Sequence, residues 1–169
     1  MKYIPNLLSF ARLALAPYIF LRLWRHDYQV VLALFAIAAL TDGLDGLLAR
    51  WLGAASWLGA YLDPVADKVL LSGTFLTLGL SGAIETWVAG LVIGRDVLIL
   101  LFASGAFLFS KARPDFPPSA WGKASTVVQI AFVLAVVGHF TFVTSVLQWL
   151  TVALTVWSGV DYARRAAKM

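Results

Sequence analysis

Between Ala124 and Val160 the chain runs for 37 consecutive residues without an Asp, Glu, Lys or Arg. As one straight α-helix that stretch would be about 55 Å long, almost twice the roughly 30 Å hydrocarbon core of a bilayer. It therefore reads as two spans with a break between them, and Gly138-His139 marks the break. This predicts helix 5 over about 120–138 and helix 6 over about 141–163. Composition supports a membrane setting: 61% of the residues are hydrophobic and 13% charged, against about 45–50% and about 25% in soluble domains. Mean hydropathy is +0.85. At about 20 residues per span, 169 residues leave no room for a soluble domain. The expected fold is all-α: a polytopic six-transmembrane-helix bundle forming one domain over residues 1–169.

Charges interrupt the remaining spans, so hydropathy alone undercounts them. Helix 1 is predicted over 6–24 with Arg12 inside, and helix 2 over 28–50 with Asp42 and Asp45 in its last third. Helix 3 is predicted over 56–80 with Asp63, Asp67 and Lys68 in its first half, and helix 4 over 84–109 with Arg95 and Asp96 inside. Ser81-Gly82 separates helices 3 and 4, and the proline-rich Lys111–Ser119 is the longest polar connection. Ala14-Leu15-Ala16 imitates a signal-peptide cleavage site, but Arg12 breaks the apolar stretch and Pro17 follows the cut, so an uncleaved first helix is expected. With the N-terminus inside, eight Lys and Arg fall at inner helix ends and only Arg22 and Arg25 at outer ones. The positive-inside rule then puts both termini in the cytoplasm. Net charge is +4, but the basic residues flank apolar segments instead of clustering. That pattern fits anionic lipid headgroups and not nucleic acid.

The chain has no cysteine and only two histidines, His26 and His139, far apart. Disulfides and thiolate metal sites are excluded, and a histidine zinc site is disfavoured. Any metal must be held by oxygen, which favours a hard cation such as Mg²⁺ or Mn²⁺. Four of the nine acidic residues, Asp42, Asp45, Asp63 and Asp67, fall within residues 42–67. Carboxylates at membrane depth are costly and repel one another unless a multivalent cation sits among them. Asp42 and Asp45 are three apart and share a helix face, with Arg50 eight residues after Asp42 on the same face. Asp63 and Asp67 are four apart on the next helix, with Gly59 one turn earlier. A short turn between helices 2 and 3 makes them antiparallel, with all four carboxylates in one pocket. Gly43 and Gly46 let a bulky group approach the backbone. Helix capping, or pairing with Arg50 and Lys68, would account for one or two of these aspartates but not four.

Asp42-x2-Asp45-Gly46-x2-Ala49-Arg50-x8-Gly59-x3-Asp63-x3-Asp67 resembles, at every fixed position, the signature of the CDP-alcohol phosphatidyltransferase family. Ile4-Pro5-Asn6 and Arg12 look like the family's opening segment, although the amphipathic helix that often precedes helix 1 is expected to be largely missing. Leu62–Lys68, and Gly122-Lys123-Ala124-Ser125-Thr126 with Gln129, resemble the branch that makes phosphatidylglycerophosphate or cardiolipin. Arg95-Asp96 looks more like the cardiolipin synthases, since Arg-Glu is more typical of phosphatidylglycerophosphate synthases.

The resemblance implies that CDP-diacylglycerol donates its phosphatidyl group to an alcohol and CMP leaves. Two divalent cations, Mg²⁺ or Mn²⁺, would bridge the pyrophosphate. Asp42, Asp45 and Asp63 are then metal ligands, and Asp67 deprotonates the acceptor hydroxyl while also touching the second metal. Arg50 clamps the pyrophosphate, and Gly46 and Gly59 line the nucleotide cleft. Arg12, Arg95 and Lys123 are candidates for the acceptor's phosphate. For Arg95 the alternative is a salt bridge to a helix carboxylate, and for Lys123 an interfacial anchor. Arg164 and Arg165 read as positive-inside anchors, His139 as a solvated turn residue and the tryptophans as belt or packing residues. Glycerol 3-phosphate is the favoured acceptor, with phosphatidylglycerol the alternative. An intramembrane prenyltransferase, a cation transporter and a silent homologue are weaker rivals. The family also implies a homodimer, and a bacterial inner membrane with the active site on the cytoplasmic side is expected.

Overall fold

The computed structural model describes residues 4–37, 57–109 and 120–166. Among them every regular element is an α-helix. These are α1 (Ile4–Trp24), α2 (described over Tyr28–Ile37), α3 (Trp57–Leu80), α4 (Thr86–Phe109), α5 (Ala120–Val137) and α6 (Thr141–Ala166). They match the six predicted helices in order, with described ends that coincide or differ by up to three residues. The rest of predicted helix 2, with Asp42, Asp45, Gly46 and Arg50, lies outside the described residues, as does Lys111–Ser119. The chain forms two compact units, Met1–Ser81 and Gly82–Met169.

In the first unit α1 packs on α3. Ala16, Ile19 and Leu23 recur at three- and four-residue steps on α1 and are buried, as are Ala66, Leu70, Thr74 and Leu78 on α3. Two facing stripes of this period hold the helix pair together. Contact is closest where the Phe20 ring lies over Gly73, for a Cβ added there would overlap the ring. Pro17 sits inside α1 without interrupting it. α1 ends in a paired-bond stop: the Asp27 N–H reaches the Arg22 carbonyl at 2.9 Å and the His26 N–H reaches Leu23 at 3.0 Å. His26 has φ 58°, the left-handed residue that such a Schellman turn requires. Arg22 braces the turn, donating to Asp27 at 2.9 Å and to the Tyr18 hydroxyl at 2.8 Å.

In the second unit α6 packs against both α4 and α5. The α5–α6 turn repeats the same stop. Phe140 N–H bonds to Ala135 at 3.0 Å and His139 N–H to Val136 at 3.1 Å, with His139 at φ 58°. The predicted break is therefore at the right place, but His139 takes the left-handed conformation and Gly138 does not. α5 and α6 are long and apolar enough to cross a membrane, as Ala120–Val137 and Thr141–Arg164. Their outer faces are apolar too: Phe142 is 81% exposed, and Val127 and Trp149 are each 65% exposed. Apolar surface on this scale calls for lipid and not water, so the protein is a membrane-associated helical one.

Gly73→Ala should displace the Phe20 ring and destabilise the α1–α3 pair by about 1–3 kcal/mol. Thermal unfolding of the purified protein in detergent measures this. Phe20→Ala combined with Gly73→Ala should show less than the sum of the two single losses, since the clash needs both groups.

Candidate active site

α3 is continuous through Gly59, Asp63 and Asp67, so these residues stack one turn apart along a single stripe. The stripe continues through Leu70, Thr74 and Leu78, which are buried. Asp67 itself is exposed. The same helix face thus changes character along its length, from exposed at Asp67 to buried from Leu70 onward. The Asp63 side chain lies outside the described residues, and so does that of Arg12, whose backbone belongs to α1. Among the described residues no three His, Cys, Asp or Glu side chains lie together as a metal site. The donor chemistry still suits a metal, because four aspartates offer only oxygen, the preference of Mg²⁺ and Mn²⁺.

The second unit gathers polar side chains into a seam. On α5 the buried residues Gly122, Ser125 and Gln129 share one face. On α6 Thr151, Thr155 and Ser158 do the same and are 0–1% exposed. Gln129 Nε2 donates to Thr155 Oγ1 at 3.1 Å and to Ser125 Oγ at 3.2 Å, and the Ser125 and Thr155 hydroxyls are 3.5 Å apart. The Trp121 and Trp157 rings meet edge to face at 5.9 Å. These contacts fix the antiparallel register: residues near 122 on α5 are level with residues near 158 on α6.

Arg95 enters this level from α4. It is 6% exposed, beside Asp96 at 4%. Its Nη1 donates to Asp96 Oδ1 at 2.7 Å and its Nη2 to Ser158 Oγ at 2.6 Å. The Tyr162 ring centre lies 5.8 Å from Cζ, within cation–π range. The carboxylate foreseen as a possible partner for Arg95 is therefore Asp96. Among the described residues the Nε–H has no partner, so the guanidinium keeps donor capacity despite the ion pair. Lys123, next to Gly122 on α5, is exposed and lies near the same level. An open groove of about 440 Å³ runs between α4 and α6, lined by Gly94, Arg95, Leu98, Thr155, Gly159 and Val160. Sequence reasoning did not single out Thr151, Thr155 or Ser158. Their spacing of four and then three residues in α6 was the available signal.

The family profile of CDP-alcohol phosphatidyltransferase matches residues 2–157. The chain belongs to the CDP-alcohol phosphatidyltransferase family. It is 34% identical over 174 aligned positions to a probable phosphatidylglycerophosphate synthase of Mycobacterium tuberculosis, covering 96% of this chain and 81% of that one. It is 35% identical over 179 positions to the CDP-diacylglycerol–glycerol-3-phosphate 3-phosphatidyltransferase of Aquifex aeolicus, covering 98% and 97%. A cardiolipin synthase (CMP-forming) of Rattus norvegicus is 44% identical over 98 positions, 57% of this chain and 32% of that one. The chemistry is accordingly CDP-alcohol phosphatidyl transfer, in a family that depends on metal ions.

Gln129→Leu should lower stability by only about 0.5–2 kcal/mol, the range of one interhelical and one intrahelical side-chain hydrogen bond in a membrane. Unfolding in mild detergent would show it. A loss no larger than that of a surface change would mean the seam contributes nothing to holding α5 on α6.

Proposed function

We propose that this protein transfers the phosphatidyl group of CDP-diacylglycerol to the hydroxyl of glycerol 3-phosphate and releases CMP. One observation carries the choice of acceptor. Relatives named for glycerol 3-phosphate transfer or phosphatidylglycerophosphate synthesis align with nearly the whole chain, whereas the rat cardiolipin synthase aligns with 57% of it. The second reading is phosphatidylglycerol as acceptor. It is favoured by the 44% identity within that shared part and by aspartate at position 96.

In this reading the acceptor hydroxyl attacks the phosphatidyl phosphorus. The new P–O bond forms as the bond to CMP breaks, and Asp67 takes the hydroxyl proton. Exposure of Asp67 on α3 supports that role, since a base must reach a substrate. Arg50 holds the pyrophosphate through two hydrogen bonds, and Gly46 and Gly59 leave room for the nucleotide. Two divalent cations, Mg²⁺ or Mn²⁺, held by Asp42, Asp45, Asp63 and Asp67, would supply charge neutralisation on the pyrophosphate and the leaving phosphate. Arg95, Lys123 and Arg12 take the acceptor's phosphate. The near-common level of Arg95 and Lys123 in the second unit supports the first two.

The same proposal reads all six helices as spans of one domain in a bacterial inner membrane. Both termini and the active site are then cytoplasmic, and the protein is a homodimer. Single cysteines in place of exposed Glu85 and Phe140 test this, because the native chain has none. Both should react with a membrane-impermeant maleimide from outside intact cells. Reaction of either from the cytoplasmic side only would reverse or break the topology.

Purified protein with CDP-diacylglycerol, Mg²⁺ or Mn²⁺ and a panel of labelled acceptors should release CMP fastest with glycerol 3-phosphate. Faster turnover of phosphatidylglycerol would favour the second reading. Asp42→Asn, Asp45→Asn and Asp63→Asn should each abolish turnover. Asp67→Asn should lower it by roughly 100-fold or more while donor affinity survives. Loss of donor affinity in Asp67→Asn as complete as in Asp42→Asn would make Asp67 chiefly a ligand.

A further inference from the structure

Arg95 and Asp96 are sequence neighbours on α4, and neighbours on a helix diverge by about 100° around its axis. Their 2.7 Å contact therefore requires both side chains to turn toward each other. That pair alone would leave the guanidinium attached only to its own helix. The hydrogen bond that ties it elsewhere is the 2.6 Å one to Ser158, 63 residues away on α6. Ser158 is 0% exposed, so water does not compete for its hydroxyl. The Tyr162 ring, one turn further along α6, limits motion on another side. With Nη1 and Nη2 engaged in this way, Nε–H is left without a partner among the described residues. A long flexible cation is thereby held in one pose with a donor uncommitted.

We propose that Ser158 is a positioning residue: its hydroxyl fixes the Arg95 guanidinium against α6 so that the remaining N–H groups meet the acceptor's phosphate. This rests on the reading of Arg95 as a ligand of that phosphate. Ser158 acts only through Arg95. Removing its hydroxyl leaves the Arg95 charge and the Asp96 pair in place but takes away the hydrogen bond that ties the guanidinium to α6. The consequence falls on acceptor binding, while the carboxylates on α3 and the donor's pyrophosphate are unaffected. The Gln129–Thr155–Ser125 bonds one turn away hold α6 to α5, so the loss of one hydroxyl need not open the helix pair.

Steady-state kinetics of the full chain in lipid nanodiscs test this. CDP-diacylglycerol is kept saturating, and glycerol 3-phosphate or phosphatidylglycerol, whichever is turned over, is varied. Ser158→Ala should raise the acceptor KM about 3- to 10-fold with kcat and donor affinity close to normal. Ser158→Thr, which keeps a hydroxyl, should stay within about twofold of the unaltered enzyme. Arg95→Ala should raise KM further, and Ser158→Ala added to it should change nothing more. If Ser158→Ala does not accumulate in the membrane, Ser158→Cys is read in its place, since its sulfur fills the space but accepts weakly. An unchanged acceptor KM in Arg95→Ala removes the reading of the site and this inference with it. A raised KM in Arg95→Ala with an unchanged KM in Ser158→Ala overturns the inference alone. So does an additive double mutant, a loss confined to kcat or donor affinity, or failure of Ser158→Thr to restore KM.

Discussion

A guanidinium surrounded by apolar side chains must be paired, because no water is present to take its hydrogen bonds and an unpaired buried charge costs several kcal/mol. The second unit is arranged around that requirement. Asp96 supplies the opposite charge, Ser158 a neutral acceptor from another helix, and Tyr162 an aromatic face. A carboxylate from α6 in place of Ser158 would balance the charge more strongly but would leave the arginine less able to bind an anion. A hydroxyl orients the cation without consuming its charge. In the proposed reading, the combination suits a residue that is stable in the empty enzyme and still attracts a phosphate.

The first unit meets a different demand with the same kind of economy. α3 serves as a core helix over Leu70, Thr74 and Leu78, where α1 covers it, and carries Asp67 exposed one turn earlier. A rigid anchored half is what holds the other half steady, and catalytic groups placed on a packed helix are located more exactly than groups on a loop. The close fit of Phe20 on Gly73 is part of that anchoring.

Much of this was legible from residue spacing. The uncharged run from Ala124 to Val160 located α5, α6 and the break between them, and Ser81-Gly82 located the turn before α4. Both depend on local chemistry that a linear reading captures. The identity of the left-handed residue at the second turn was less accessible. Glycine is the usual choice there, yet the two bonds from His139 and Phe140 place the reversal one residue later. The seam of α6 was hidden for another reason: threonine and serine barely disturb an average of hydropathy, so three hydroxyls on one face leave a span looking uniformly apolar. The partners of Thr155, Ser125 and Gln129, lie 26 or more residues away, and that of Ser158, Arg95, lies 63 away; only the folded register brings them together. The aspartate pattern was read from its spacing and from the family signature. α3 runs continuously through Asp63 and Asp67, while Asp42 and Asp45 lie outside the described residues.

The three-residue turn at Gly138–Phe140 has a consequence for biogenesis. α5 released alone into the bilayer would turn Ser125 and Gln129 toward acyl chains, and α6 alone would do the same with Thr151, Thr155 and Ser158. Neither is well suited to leave the translocon by itself, whereas the two folded back on each other join Ser125 and Gln129 to Thr155. The short connection leaves the second helix little room to lag behind the first. The hairpin is then the unit that partitions into lipid, with Ser125, Gln129 and Thr155 already joined and Ser158 left to meet Arg95 when α4 docks.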